Sequence, residues 1–157
     1  MRIGVISDTH GYLDPRAAVA LQGVARILHA GDIGSPAIVD ALEAIAPVDA
    51  VQGNVDAGTP LARRFPSSRQ ILVEDVLIYM THIGGQPAVL ARALPQPKPN
   101  VYIFGHTHVA LLETLGEVLF LNPGAAGRPR FGGGRSVAIL DVESGRATAR
   151  IVPLSNI

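Results

Sequence analysis

Apolar residues in the first fifty positions fall into short runs separated by stretches with helical spacing. Arg2–Ile6 is a β-branched run, the signature of a strand. Between Ala17 and Arg26, the positions of Val19, Leu21, Val24 and Ala25 predict a helix, and Arg26–Ala30 is apolar again. Ser35-Pro36 reads as an N-cap followed by proline at the first helical position. Ile38, Val39, Leu42 and Ile45 then share one face, and Pro47 ends the helix. Val48–Gln52 makes a third strand. This βαβαβ order predicts parallel strands with helices packed on them, because parallel neighbours need a crossover connection.

The second half has a different rhythm. Gln70–Glu74 and Val76–Thr81 flank a tight acidic turn, Val109–Leu115 and Glu117–Leu121 flank Gly116, and Ser136–Val142 and Arg146–Val152 flank Ser144-Gly145. Each pair predicts an antiparallel hairpin. Pro95, Pro97 and Pro99 stiffen a predicted surface loop ahead of the strand Val101–Phe104. The pattern predicts one layered α/β domain over residues 1–157, with a core of Val, Ile, Leu and Ala, since aromatic residues are only 4% of the chain.

Composition narrows the chemistry. The 157 residues contain no cysteine, which excludes disulfides, thiolate metal sites and a cysteine nucleophile. Thirteen basic residues balance thirteen acidic ones, so no cationic footprint argues for nucleic acid. The longest apolar stretch, Ala17–Ala30, is interrupted by Gln22 and Arg26 and is too short to cross a bilayer. The opening MRIGVISDTHG lacks the apolar core of a secretory signal, so a soluble cytoplasmic protein is expected.

Acids and histidines cluster just after the predicted strands. Strand one runs into Asp8-Thr9-His10-Gly11, strand two into Gly31-Asp32, and strand three into Gly53-Asn54-Val55-Asp56. The later strands run into Thr81-His82 and Gly105-His106-Thr107-His108. Ligands of open α/β sheets bind beyond the carboxyl ends of the strands, so these loops can converge. Imidazole, carboxylate and amide donors without sulfur suit manganese, iron, cobalt, nickel or zinc. Seven such side chains (Asp8, His10, Asp32, Asn54, His82, His106 and His108) exceed the four of a tetrahedral zinc site. Two ions sharing a carboxylate would use them all, and such pairs stand roughly 3.5–4 Å apart. Two carboxylates leave a pair of divalent cations with net positive charge, which favours a phosphate ester as substrate.

The ordered set Asp8-x-His10, Gly31-Asp32, Gly53-Asn54, His82 and Gly105-His106-x-His108 resembles the calcineurin-like metallophosphoesterase superfamily. The small size and the segment Asn122-Pro123-Gly124-Ala125-Ala126-Gly127-Arg128-Pro129-Arg130 are similar to its compact bacterial and archaeal phosphodiesterase branch, to which the retromer-subunit-like proteins also belong. The resemblance covers Arg2 to about Val152. It implies a four-layer αββα sandwich, two mixed β-sheets flanked by helices, with a dinuclear centre at the strand ends. It also implies that Asp8, His10, Asp32 and His108 hold one ion, and that Asp32, Asn54, His82 and His106 hold the other, with Asp32 bridging. Asp32, Asn54 and His106 would be the catalytic residues, and manganese the first choice of metal. Asn122, Arg128 and Arg130 would approach a small phosphate-ester substrate, most simply a phosphodiester. Relatives of this kind imply a homo-oligomer.

One position departs from the family. Many members place histidine directly after the asparagine, where it protonates the leaving group, but here that residue is Val55. General-acid help is typically worth about 10²–10⁴-fold, so a slow enzyme preferring good leaving groups, such as aryl phosphodiesters, is expected. The competing reading is a catalytically weak scaffold that uses the fold for protein–protein contact. Taken singly, each motif also has an ordinary explanation as a turn after a strand, and loop arginines are commonly solvated. His29, inside an apolar strand, reads as a core or supporting residue rather than a ligand.

Overall fold

A computed structural model of the chain describes residues 1–128 and 134–157. Its elements begin as the apolar runs suggest, with β1 at Arg2–Ile6, β2 at Arg26–His29 and β3 at Val48–Ala50. The intervening helices are α1 (Pro15–Ala20) and α2 (Pro36–Glu43). Ser35 caps α2 as its sequence predicts, accepting the Ala37 N–H at 3.2 Å. Helix α1 differs from the stretch expected over 17–26. It starts earlier, because Asp14 accepts the Arg16 N–H at 2.9 Å, and Gly23 lies beyond its end in a left-handed conformation. Val19, expected on the buried stripe, is exposed.

The remaining strands are β4 (Ser68–Val73), β5 (Val76–Thr81), β6 (Val101–Ile103), β7 (Leu111–Leu115), β8 (Val118–Asn122), β9 (Ser136–Glu143) and β10 (Arg146–Pro153). Two short helices not anticipated from periodicity, α3 (Pro60–Arg64) and α4 (Pro87–Leu90), each open on a proline. They are too short to show an amphipathic repeat. One sheet has the order β10-β9-β1-β2-β3 and the other β4-β5-β6-β8-β7. Both are mixed: β1, β2 and β3 run parallel, as do β5, β6 and β8, while the three predicted hairpins and the long-range β1–β9 pair supply the antiparallel neighbours.

Three apolar clusters define four layers. Ile3, Val5 and Leu28 of the first sheet meet Ile78, Met80 and Ile103 of the second, which cements the sheets face to face. On the outer face of the first sheet, Ile6 and Ile27 pack with Leu21, Ile38, Val39 and Leu42 from the helical side. On the outer face of the second, Tyr102, Phe104, Val118 and Phe120 pack with Leu90 and Ala91 around α4. Strand alternation explains the partition, since Ile3 and Val5 point to one face of β1 and Ile6 to the other. The result is an αββα sandwich. Among the described residues, no helix is long and apolar enough to cross a membrane.

The third cluster is small, and Phe120 is a large side chain fully buried in it, so truncating it should be costly. Phe120→Ala is expected to lower unfolding free energy by about 3–5 kcal/mol, read from the denaturant midpoint. A shift under about 1 kcal/mol would mean that this layer contributes little to stability.

Candidate metal centre

Asp8 and His10 follow β1, Asp32 follows β2, and Asn54 opens a 3-10 turn after β3. His82 follows β5, and His106 and His108 follow β6. The parallel strands of both sheets therefore deliver their loops to a common end. Backbone bonds lace these loops together: Asp8 N–H donates to Gly31 O (3.0 Å), His10 N–H to Asp32 O (2.9 Å), and Gly105 N–H to His82 O (2.9 Å). Asp8, His10, Asp32, His106 and His108 all lie in the left-handed region, with φ between 48 and 73°. Such a conformation is costly away from glycine, and its concentration here marks the loops as held by their surroundings. Two glycines make the approach of the loops feasible. A Cβ on Gly53 would strike the Asp32 backbone nitrogen and Oδ1, and one on Gly105 would strike Ser7 Oγ.

Two groups of ligand atoms form, Asp8–His10–His108 and Asp32–His82–His106, each with its atoms within 4.8 Å of one another. Asp32 Oδ2 lies 3.2 Å from His82 Nε2 and 3.4 Å from His10 Nε2, so it stands between the groups. Asp8 Oδ1 lies 3.3 Å from His108 Nε2 and 3.6 Å from His10 Nε2. Asn54 lines the same cleft of about 200 Å³ as His10, Asp32, His106 and His108.

The outward-facing atoms of Asp8, Asp32 and His82 are occupied. Asp8 Oδ2 accepts from Ser7 Oγ (2.7 Å) and the His106 N–H (3.0 Å), and Asp32 Oδ1 accepts the Val55 N–H (3.0 Å). His82 Nδ1 donates to the Ala30 carbonyl at 2.8 Å, which assigns its proton and leaves the Nε2 lone pair facing Asp32. Buried Asp8 Oδ1 and His82 Nε2 have no hydrogen-bond partner among the described residues. Buried polar atoms seldom stay unsatisfied, and a cation between them supplies what hydrogen bonds do not. In the metal-free protein the two partners also stabilise each other's charge. Burial would lower His82, but Asp32, the Ala30 carbonyl and Asp8 outweigh it and hold the imidazole above its usual value. Burial would likewise raise Asp32, yet His82, the Val55 N–H and His10 keep the carboxyl below its usual range. The nitrogen–oxygen donor set, with its unsatisfied inward atoms, fits divalent transition metals.

Residues 1–145 match the calcineurin-like phosphoesterase superfamily domain. The chain belongs to that superfamily. Similar proteins include one from Methanothermobacter thermautotrophicus named "Probable metallophosphoesterase", 35% identical over 163 residues that cover 97% of this chain and 92% of that protein. The solved structure of an archaeal phosphodiesterase is 26% identical, with a TM-score of 0.77, covering 97% of this chain and all of that one at 100%. A single mutant of Vps29 from Entamoeba histolytica gives a TM-score of 0.80 at 21% identity, covering 98% and 99% of the two chains, a likeness of fold.

For this superfamily member the sequence did not reveal how the loops are braced. Asp56, fully buried, accepts N–H groups from Ile33 (3.1 Å), Gly34 (2.9 Å) and Gly53 (2.8 Å), tying the segment after Asp32 to the one before Asn54. An acid three residues after Gly53, reaching back to the start of a short turn, was the available signal. His29 is buried with both nitrogens engaged. Its Nδ1 accepts the Gly31 N–H (3.1 Å) and its Nε2–H donates to Thr9 Oγ1 (3.0 Å), whose hydroxyl donates to Ile33 O (2.9 Å). Burial pushes its pKa down to about 4.

The residues expected at the substrate divide. Asn122 is buried, its Nδ2 donating to Gly105 O (3.0 Å) and Thr107 Oγ1 (3.1 Å) and its Oδ1 accepting the Gly124 N–H (2.9 Å). Its amide is thus engaged in holding the loop of His106 and His108. Arg128 is exposed, with its guanidinium 4.5 Å from the centre of the Tyr12 ring. Arg130 lies outside the described residues. Arg135 pairs with Asp14 at 2.6 Å.

Replacing Asp56 by Asn removes the charge and leaves one of three N–H groups without its acceptor. Asp56→Asn is expected to weaken manganese binding by about 10–100-fold in calorimetric titration. Unchanged affinity would show that the brace does not set ligand positions. His29 gives a pH signature of definite sign. Its folded pKa near 4 lies below the ordinary 6.5, so the unfolded chain takes up the proton first and stability is lost as pH falls through that interval. In metal-free protein, denaturation between about pH 7 and about pH 5 should show the advantage of the native protein over His29→Asn shrinking by about 2 kcal/mol. A constant difference would contradict a buried neutral imidazole.

Proposed function

We propose that this chain is a metal-dependent phosphodiesterase that hydrolyses small phosphate diesters at a dinuclear centre. The observation that carries the reading is the pair of ligand groups opening on one cleft, with Asp32 Oδ2 reaching toward both. Asp8, His10, Asp32 and His108 are assigned to one divalent ion and Asp32, Asn54, His82 and His106 to the other, with Asp32 shared. Manganese is the first choice, and zinc, iron, cobalt and nickel suit the same donors. Such ions, when bound, activate water as a nucleophile and neutralise phosphate charge in an in-line displacement.

The chain's own groups supply position. The Ala30 carbonyl fixes the His82 tautomer, and the Val55 N–H fixes the Asp32 carboxylate. Asn54 and His106 border the cleft in which the phosphate would sit, and Asn122 acts as a positioning residue for the loop of His106 and His108. Arg128 and Arg130 are the candidate phosphate contacts, since guanidinium pairs with phosphate oxygens. Val55 carries no proton to give, so departure of the alcohol depends on its own acidity. The phosphodiesterase names of the relatives support the same reaction class.

Manganese-loaded protein should hydrolyse bis(4-nitrophenyl) phosphate, and Asp32→Asn should abolish that hydrolysis along with stoichiometric metal. Val55→His should accelerate diesters with poor leaving groups more than those with good ones, by about 10²-fold or above. Full activity in Asp32→Asn would remove the shared carboxylate from the reading. A folded native protein that neither retains metal nor cleaves any diester would leave the scaffold reading in its place.

A further inference from the structure

Three of the candidate ligands are each followed directly by an exposed aliphatic residue. Val55 after Asn54 is 42% exposed, Ile83 after His82 is 59% exposed, and Val109 after His108 is 66% exposed. Val55 lines the cleft of the ligand groups itself, while Ile83 and Val109 line hollows beside it, and apolar surface gathered in a groove marks a place for an apolar occupant. One of these hollows is a formed cleft. Phe104, Val109 and Leu111, with Gly85, the exposed Gln86 and Thr107, line a hollow of about 290 Å³, and Asn122 stands at its wall. Thr107 also lines the cleft that holds His10, Asp32, Asn54, His106 and His108, so the two hollows share a wall.

The polar atoms of that wall are turned toward one another. Thr107 Oγ1 accepts from Asn122 Nδ2 (3.1 Å) and from the Val109 N–H (3.2 Å), while the Asn122 amide is committed to Gly105 and Gly124 as well. A sugar or base edge entering here would therefore exchange hydrogen bonds with water for contact with Phe104, Val109 and Leu111, which costs free energy. An aromatic or branched alkyl group gains by the same contact. The space is ample, since an apolar cavity of about 150 Å³ already holds benzene.

We infer that this cleft is the specificity pocket for one ester arm of the diester, and that the substrates are phosphodiesters carrying an apolar aryl or branched-alkyl group. The inference rests on the proposed phosphodiesterase reading, because the shared Thr107 wall places the arm beside the phosphate only if the phosphate occupies the metal cleft. Val109 is the specificity-determining residue: it is exposed in the empty pocket and covered when the arm is bound.

Phenylphosphonate and methylphosphonate test this directly. They share an anionic head, differ only in the arm, and carry a phosphorus–carbon bond that the enzyme does not hydrolyse. Calorimetric titration of the manganese-loaded protein should show phenylphosphonate binding about tenfold tighter, the scale of discrimination a hydrophobic pocket gives. Val109→Ser and Leu111→Ser should each bring that ratio close to one by weakening the phenyl compound, with melting temperature confirming that both variants fold. Equal affinities in the native protein, or a ratio that neither variant moves, would overturn the pocket while leaving the phosphodiesterase reading intact. Binding of neither phosphonate, together with no hydrolysis of bis(4-nitrophenyl) phosphate, would overturn both.

Discussion

Atoms that all carry lone pairs are held face to face at the strand ends. His82 Nε2 stands 3.2 Å from Asp32 Oδ2, and His10 Nε2 stands 3.4 Å from the same oxygen. Left to itself such a group would splay apart, so the surrounding loops must hold it together. They do so with backbone bonds between neighbouring loops, with Asp56 gripping three N–H groups, and with the His29–Thr9–Ile33 chain. Hydrogen bonds to a charged group contribute about 1.5–3 kcal/mol each, against about 1–3 kcal/mol for a residue in a strained backbone region. The bracing and the strain are of the same size. The positions of these donors are therefore set by the loops that carry them.

The layered fold explains why the ligands come from so many places in the chain. Each sheet contributes its parallel strands, β1 to β3 from one and β5 and β6 from the other, and the apolar layer between them fixes the two sets of loops at one end. A change in the packing of Ile3, Val5, Ile78 or Met80 would displace one half of the donors against the other. Stability of that layer and geometry of the centre are therefore coupled.

Much of this was legible beforehand because the chemistry lies in short segments with strong local signals. The β-branched runs gave β1 and β2, Ser35-Pro36 gave the start of α2, and the turns after Glu74, Leu115 and Glu143 gave three hairpins. Asp8, His10, Asp32, His82, His106 and His108 stood out as histidines and acids after strands, and the structure brings their ligand atoms together. What stayed hidden depends on long-range pairing. Nothing local says that Asp56 would reach Ile33 and Gly34, or that Asn122 would spend its amide on Gly105 and Thr107 rather than face the cleft. Helix α1 was misplaced because Val24 and Ala25 keep helical spacing after Gly23 has already turned the chain.

Position 55 shows how backbone and side chain can serve separate ends. The Val55 N–H holds Asp32 Oδ1 at 3.0 Å, a task any residue but proline performs. The side chain is thereby free to vary without disturbing the donors, and valine in place of a proton donor leaves the centre's geometry untouched while changing what it can expel. Val55 also lines the cleft of the ligand groups and is 42% exposed, so under the proposed reading an apolar side chain stands beside the phosphate. On that reading, a position 55 without a proton to give and an apolar cleft around Val109 favour the same kind of ester, one whose departing oxygen is acidic and whose bulk is hydrophobic.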